Sequence, residues 1–105
     1  MKEKLIELSK EKGFESKIYK ELIKIGIWIK LSNNHAYYLW MCELQKWLRE
    51  NHNIHIFIHY NTLTERFRIE YITHINKEIE NEYPEFNTYE QALGKGLYEG
   101  LKLIK

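Results

Sequence analysis

The chain is 105 residues long, room for one domain and one core. It carries 16 Lys plus Arg against 15 acidic residues, all of them Glu, so a net charge of +1 supplies no field that would gather a nucleic acid or an anionic membrane. Hydrophobic residues at 44% and aromatics at 14% exclude a disordered chain, and no apolar run is long enough for a spanning helix or a signal-peptide core. The single cysteine, Cys42, precludes an internal disulfide and fits a reducing, cytoplasmic setting.

There is no Asp and no Val, while Ile (14), Lys (13), Asn (8) and Tyr (8) are abundant, a bias expected of an AT-rich coding sequence. Without Asp the chain lacks the usual ligand for Mg²⁺-dependent phosphoryl transfer, and it lacks aspartyl dyads and Asp-oriented triads.

Residues 2–12 predict a short helix with Leu5 and Leu8 on its buried side, Gly13 at the left-handed position after it, and Phe14 folding back. Residues 17–31 fit two patterns. Ile18, Leu22, Ile25 and Ile29 share a helix face, whereas Ile25, Ile27, Ile29 and Leu31 alternate as a strand would. Gly26 favours a helical turn through residue 23 and then a short strand over 25–31. Residues 35–50 predict the aromatic core helix: Ala36, Tyr37, Trp40, Met41, Leu44, Trp47 and Leu48 on one side, Gln45, Lys46, Arg49 and Glu50 on the other. Ser32, Asn33 or Asn34 supplies the N-cap.

Residues 54–60 and 66–75 alternate strictly and predict a hairpin. A four-residue loop at Asn61–Thr64 places Ile58 opposite Phe67, Ile56 opposite Ile69 and Ile54 opposite Tyr71 on an inner face that also takes Ile75. The outer face then pairs His59 with Arg66, Phe57 with Arg68 and His55 with Glu70, and carries Ile72 and His74. Residues 76–87 are acidic and contain Pro84, which predicts a surface loop. Asn87-x-x-Glu90 or Thr88-x-x-Gln91 caps a last helix over 88–104, with Tyr89, Leu93, Leu97, Leu101 and Ile104 as its apolar stripe. Ala92, Gly96 and Gly100 recur at intervals of four along one edge. Each glycine costs about 1 kcal/mol against alanine, so another element is expected to pack very close there.

The chemistry-bearing residues do not converge. His52, His55 and His59 look like metal ligands in the string, but on a strand His55 and His59 stand about 13 Å apart at ~3.3 Å per residue. Zinc ligands must meet ~2 Å from the metal. Cys42 lies mid-helix on the solvent side, two turns from His35 and away from a helix N-terminus. Ser9, Ser16 and Ser32 sit in no nucleophile-elbow setting, and Gly94, Gly96 and Gly100 lie inside a helix rather than in a phosphate-binding turn. No pattern places a Glu in an apolar pocket. The expectation is a non-enzyme with no catalytic residue, no metal and no cofactor.

One surface supports a binding expectation. His55, Phe57, His59, Arg66, Arg68 and His74 on the outer hairpin face interleave cationic groups with an aromatic, a combination that can stack a base and hold a phosphate. Two other readings stand beside it: an exposed sheet face whose cross-strand pairs only stabilise the hairpin, or a face covered by the 17–31 segment. Tyr38, Leu39 and Ile72 form a second, apolar candidate for a partner or dimer contact, or for docking of residues 1–31.

The strings WMCELQKWLRE (40–50), HNIHIFI (52–58) and NTYEQALGKGLYEGLKLI (87–104) resemble a family of small uncharacterised proteins often encoded by phages and mobile elements of gut bacteria. Those proteins share a QKWLRE-type helix, an amphipathic hairpin and a terminal YEEALE-x-GL-x-EALKLI-type helix. The resemblance covers roughly residues 37–104 and implies no activity or catalytic residue. It departs at Gly94 and Gly100, where the family pattern has Glu and Ala. The order helix, hairpin, optional third strand and helix also resembles a double-stranded-RNA-binding domain. Such domains open their last helix with lysines, and this one opens Asn87, Thr88, Tyr89, Glu90, Gln91.

The reading is an α+β domain over 1–105, with helices 35–50 and 88–104 packed on the inner face of the 54–60/66–75 hairpin and residues 1–31 completing or covering the sheet. Its expected role is that of a small cytoplasmic accessory protein of phage or mobile-element origin that binds another protein. A nucleic-acid-binding module is the disfavoured alternative, no membrane is involved, and the oligomeric state is left open.

Overall fold

Local backbone devices set where each element starts and stops. The structure, a computed structural model, describes residues 2–17, 34–75, 77–79 and 83–104. Helix α1 (Lys2–Glu11) ends at Gly13, whose φ of 95° is open to glycine at no steric cost. The Gly13 amide donates to the Lys10 carbonyl at 3.1 Å and the Phe14 amide to the Ser9 carbonyl at 2.9 Å, which satisfies two carbonyls the helix leaves free. That turn throws Phe14 into the core, 5.7 Å from the Trp40 ring and 5.4 Å from Trp47. Leu5 and Ser9 are the buried positions of α1, and Leu8 is only half-buried. The Ser9 hydroxyl tolerates burial by donating to the Ile6 carbonyl at 2.7 Å.

Helix α2 (Asn34–His52) buries Trp40, Met41, Leu44 and Leu48 on one stripe. It gives way at Asn53, φ 51°, to strand β1 (Ile54–Asn61), which pairs antiparallel with β2 (Arg66–His74). A third strand, β3 (Lys77–Ile79), pairs on the far side of β2, and the sheet order is β1-β2-β3. Helix α3 (Tyr89–Leu101) closes the chain, and the whole is an α+β fold. The alternative patterns weighed for residues 17–31 fall almost wholly outside the described residues, as do the side chains of 34–36.

The hairpin departs from the expected pairing in two ways. First, Asn61 belongs to the strand. Its side-chain oxygen accepts from the Leu63 amide at 2.9 Å and its carbonyl from the Glu65 amide at 2.8 Å, so the four-residue loop is 62–65, ending at left-handed Glu65 (φ 56°). Ile58 therefore meets Ile69 rather than Phe67, and His59 meets Arg68 rather than Arg66. This slip of two positions keeps every side chain on its expected face.

Second, a β-bulge lies between Ile58↔Ile69 and Phe57↔Tyr71, leaving Glu70 as the extra residue of β2. Beyond it the faces exchange. Ile72 turns inward opposite Ile56 and is 1% exposed, Tyr71 turns outward opposite Phe57, and His74 takes the register position of Ile54. The cause is legible in the spacing Phe67-x-Ile69-x-x-Ile72, since one added residue lets both isoleucines reach the core. Ile75, expected inside, lies past the strand end at φ 55° and is 69% exposed.

The 76–87 stretch is more than a surface loop. It contributes β3, and then Phe86 bridges Phe67 with reciprocal amide–carbonyl bonds of 2.6 and 2.8 Å. Glu85 fastens this return to the hairpin end, accepting from Thr64 Oγ1 at 2.9 Å and Asn61 Nδ2 at 3.3 Å through its carboxylate.

Helix α3 lies on the inner face of the sheet because its small residues let it. A Cβ at Gly96 would stand 2.7 Å from Ile56 Cγ2, and one at Gly100 would stand 3.2 Å from both Ile54 Cγ2 and Ile56 Cδ1. Ala92, Leu93, Leu97 and Leu101 are fully buried around them. Helix α2 packs against α3 and β1, and Gln45 Nε2 donates to the Ile56 carbonyl at 3.2 Å. Helix α1 packs on α3, and Lys12 Nζ reaches the Ile104 carbonyl at 2.6 Å. On the exposed side of α3, burial alone would raise the Glu99 carboxyl, but hydrogen bonds from Lys95 and Lys102 and their charges outweigh it and hold its pKa below the usual value.

Of the two capping patterns, Thr88-x-x-Gln91 is used: Thr88 Oγ1 accepts from the Gln91 amide at 3.1 Å, and Gln91 Oε1 accepts from the Thr88 amide at 3.3 Å. Thr88→Ala should lower stability by about 1 kcal/mol in urea denaturation, with Asn87→Ala nearly neutral.

Candidate functional site

The outer hairpin face is built by the bulge. Above it in the sheet, His59 stands opposite Arg68. At the bulge, Phe57 and Tyr71 form a tilted ring pair with centroids 4.3 Å apart, and His55 stacks on Phe57 at 6.4 Å with planes 14° apart. His55 is held by its Nε2, which shares a 3.0 Å hydrogen bond with Asn53 Oδ1. Phe57 is 40% exposed, so the pair is open to solvent on one side. A pair of this kind at a non-core position is a ready contact surface, worth about 0.5–1.5 kcal/mol to the hairpin by itself.

The six residues expected on this face therefore divide. His55, Phe57, His59 and Arg68 come together. Arg66 is drawn aside, its guanidinium donating to the Glu85 carbonyl at 2.9 Å. His74 stands at the register of Ile54 and leaves the face altogether. Tyr71, placed inside by strict alternation, is the residue that sequence reasoning missed, and the Ile69–Ile72 spacing was the available signal. Carboxylates also accompany the face: Glu70 at the bulge is exposed, and Glu78 stands opposite Thr73. The surface is thus aromatic and mixed in charge rather than basic.

A second feature is a groove of about 880 Å³ where the start of α3 meets α1 and α2. Tyr37, Tyr38, Phe86 and Thr88 line it, with Lys2 and Lys95 among its charges. Burial and the nearby Glu3 charge push the Tyr37 phenol up to about 12, and Lys2 Nζ sits 4.9 Å from its ring centroid. The Cys42 thiol, expected on the solvent side, is half-buried and hydrogen-bonded with Tyr38, which raises the Tyr38 pKa; burial and the same thiol raise Tyr89. The shifts move phenols that are already protonated at neutral pH still further from ionising. Tyr38 packs edge-on against Tyr89 at 6.3 Å, whereas Leu39 is 38% exposed.

Among the described residues no group of three or more His, Cys or Glu side chains could share a metal ion, and no helix is long and apolar enough to cross a membrane. Comparison of the chain with family models, with curated proteins and with solved structures returns no match.

Proposed function

We propose that the chain is a non-enzymatic accessory protein, of the phage or mobile-element kind its helices resemble, that acts in the cytoplasm by binding another protein through the outer hairpin face. The observation that supports this reading is the Phe57–Tyr71 pair, with Phe57 exposed, brought together at the bulge and rimmed by His55, His59 and Arg68. Aromatics with an adjacent arginine are the residue types that dominate protein–protein binding energy.

Nucleic-acid binding is the second reading, favoured by Arg68 and His59 side by side next to a stacking ring. It is weakened by Arg66 turning to Glu85, by Glu70 and Glu78 on the same side, and by the glutamate in the first turn of α3.

One experiment separates them. Immobilised protein is expected to capture a defined host protein, and Phe57→Ala, which leaves the core intact, is expected to abolish that capture. A gel shift on single- and double-stranded nucleic acid at low salt is expected to be absent. Capture unaffected by Phe57→Ala, or a shift suppressed by Arg68→Glu, would overturn the proposal.

A further inference from the structure

Among the described residues β1 is the outermost strand of the sheet, and its sequence is nearly symmetric. Asn53-Ile54-His55-Ile56-Phe57-Ile58-His59-Tyr60-Asn61 reads the same in both directions about Phe57, except for the exchange of Ile54 with Tyr60. The backbone orientation of β1 follows from its bonds. The carbonyls of Asn53 and Asn61 accept from Ile75 and Glu65 amides on the β2 side, so the odd positions turn toward β2. The even positions, Ile54, Ile56, Ile58 and Tyr60, turn their amides and carbonyls away from it. The Ile56 carbonyl fits this, since it accepts from the Gln45 side chain of α2 rather than from β2.

Among the described residues no strand pairs with that outward side. Proteins usually blunt such an edge with lysine, proline, a bulge, a very short strand or a covering helix or loop, and here α2 reaches the edge through Gln45 at the Ile56 carbonyl. Strand β1 is eight residues long, contains neither Lys nor Pro, and stands opposite the bulge of β2 without carrying an extra residue itself.

We infer that β1 pairs antiparallel with β1 of a second copy of this chain, on a two-fold axis through Phe57, to make a continuous six-stranded sheet. An antiparallel strand pair of this kind is isologous, so residue i meets j and j meets i. Centred on Phe57, the outward-facing positions meet one another: Ile56 with Ile58 and Ile54 with Tyr60 of the second copy exchange amide–carbonyl bonds. Gln45 releases the Ile56 carbonyl, which then accepts from the amide of Ile58 in the other chain. On the inner face the isoleucine row continues from one copy into the next. On the outer face Phe57 meets Phe57, and His55 meets His59. A partner of unrelated sequence would match one of these rows by accident. A second copy matches both because the strand is symmetric.

The test is sedimentation equilibrium of the full chain at neutral pH from micromolar to millimolar concentration, with a charge swap. Wild type is expected to show a monomer–dimer equilibrium. His55→Lys/His59→Lys opposes lysines at both flanking pairs and is expected to weaken dimerisation by about tenfold or more. His55→Glu/His59→Lys opposes Glu to Lys across the axis and is expected to restore it to within about threefold of wild type. Because His55 and His59 also rim the proposed protein-binding face, dimerisation is read by sedimentation of the purified chain with no partner present, so its loss is distinguished from a loss of capture. A second readout on unmodified protein is amide exchange, in which Ile54, Ile56, Ile58 and Tyr60 are expected to gain protection as concentration rises. A chain that stays monomeric at millimolar concentration, a dimer indifferent to the charge swap, or protection of those amides equal at every concentration would overturn the inference.

Discussion

Ile72→Ala is expected to lower the stability of the protein by about 2–4 kcal/mol, while Tyr71→Ala, one residue away, lowers it by about 1 kcal/mol. Strict alternation predicts the reverse, with Tyr71 in the core and Ile72 in solvent. The bulge decides the matter. It sets Ile72, 1% exposed, opposite Ile56 and leaves Tyr71 on the outer face against Phe57. Deleting the Ile72 side chain removes buried apolar surface and leaves a cavity among residues fixed by two strands and a helix, so both the transfer and the cavity cost apply. Deleting the Tyr71 ring loses one aromatic pair on a half-exposed face. Urea denaturation of both variants checks the difference, and for a domain of total stability about 5–15 kcal/mol it will be plain in the midpoints.

Gly96→Ala is expected to destabilise the protein by about 1–3 kcal/mol, although alanine in an unobstructed helix interior gains about 1 kcal/mol over glycine. The added methyl would stand 2.7 Å from Ile56 Cγ2, and Ile56 cannot swing clear because its branched Cβ has few rotamers and its other neighbours are buried. Gly94→Ala on the same helix is expected to go the other way, stabilising by about 0.5–1 kcal/mol, because its nearest neighbours are Met41 Sδ at 3.7 Å and Tyr37 Oη at 3.8 Å, an ordinary contact. The opposite signs isolate close approach from helix propensity. Thermal midpoints of the two variants decide it. Equal shifts would mean α3 does not ride on Ile56.

Much of this architecture is written locally in the chain. Gly13 and Phe14 mark the end of α1, the aromatic stripe marks α2, and Thr88 with Gln91 marks the start of α3; each is a short-range rule acting on adjacent residues. The glycine ladder also reported its own reason, since glycines in a helix are retained where a neighbour leaves no room. The pairing register resisted the same treatment because it depends on contributions from separate places. Asn61 captures the loop through its side chain, and the Ile69–Ile72 spacing makes a bulge better than a regular ladder. Strand β3 has three residues in an acidic stretch and no apolar alternation, so only the edge of β2 specifies it.

The candidate site inherits that division. His55, Phe57 and His59 were legible because β1 is regular from end to end. Tyr71, Arg66 and His74 were not, because their places depend on the bulge and on the returning Glu85.

Cross-strand NOEs in an NMR spectrum test the arrangement most directly. Contacts are expected between the Ile56 and Ile72 side chains and between the Phe57 and Tyr71 rings, with Glu70 left out of the cross-strand pairing. Backbone Hα and amide contacts pairing Ile56 with Tyr71 and Phe57 with Glu70 would mean an unbulged ladder running from the same loop, and would contradict both the core and the aromatic face derived from it.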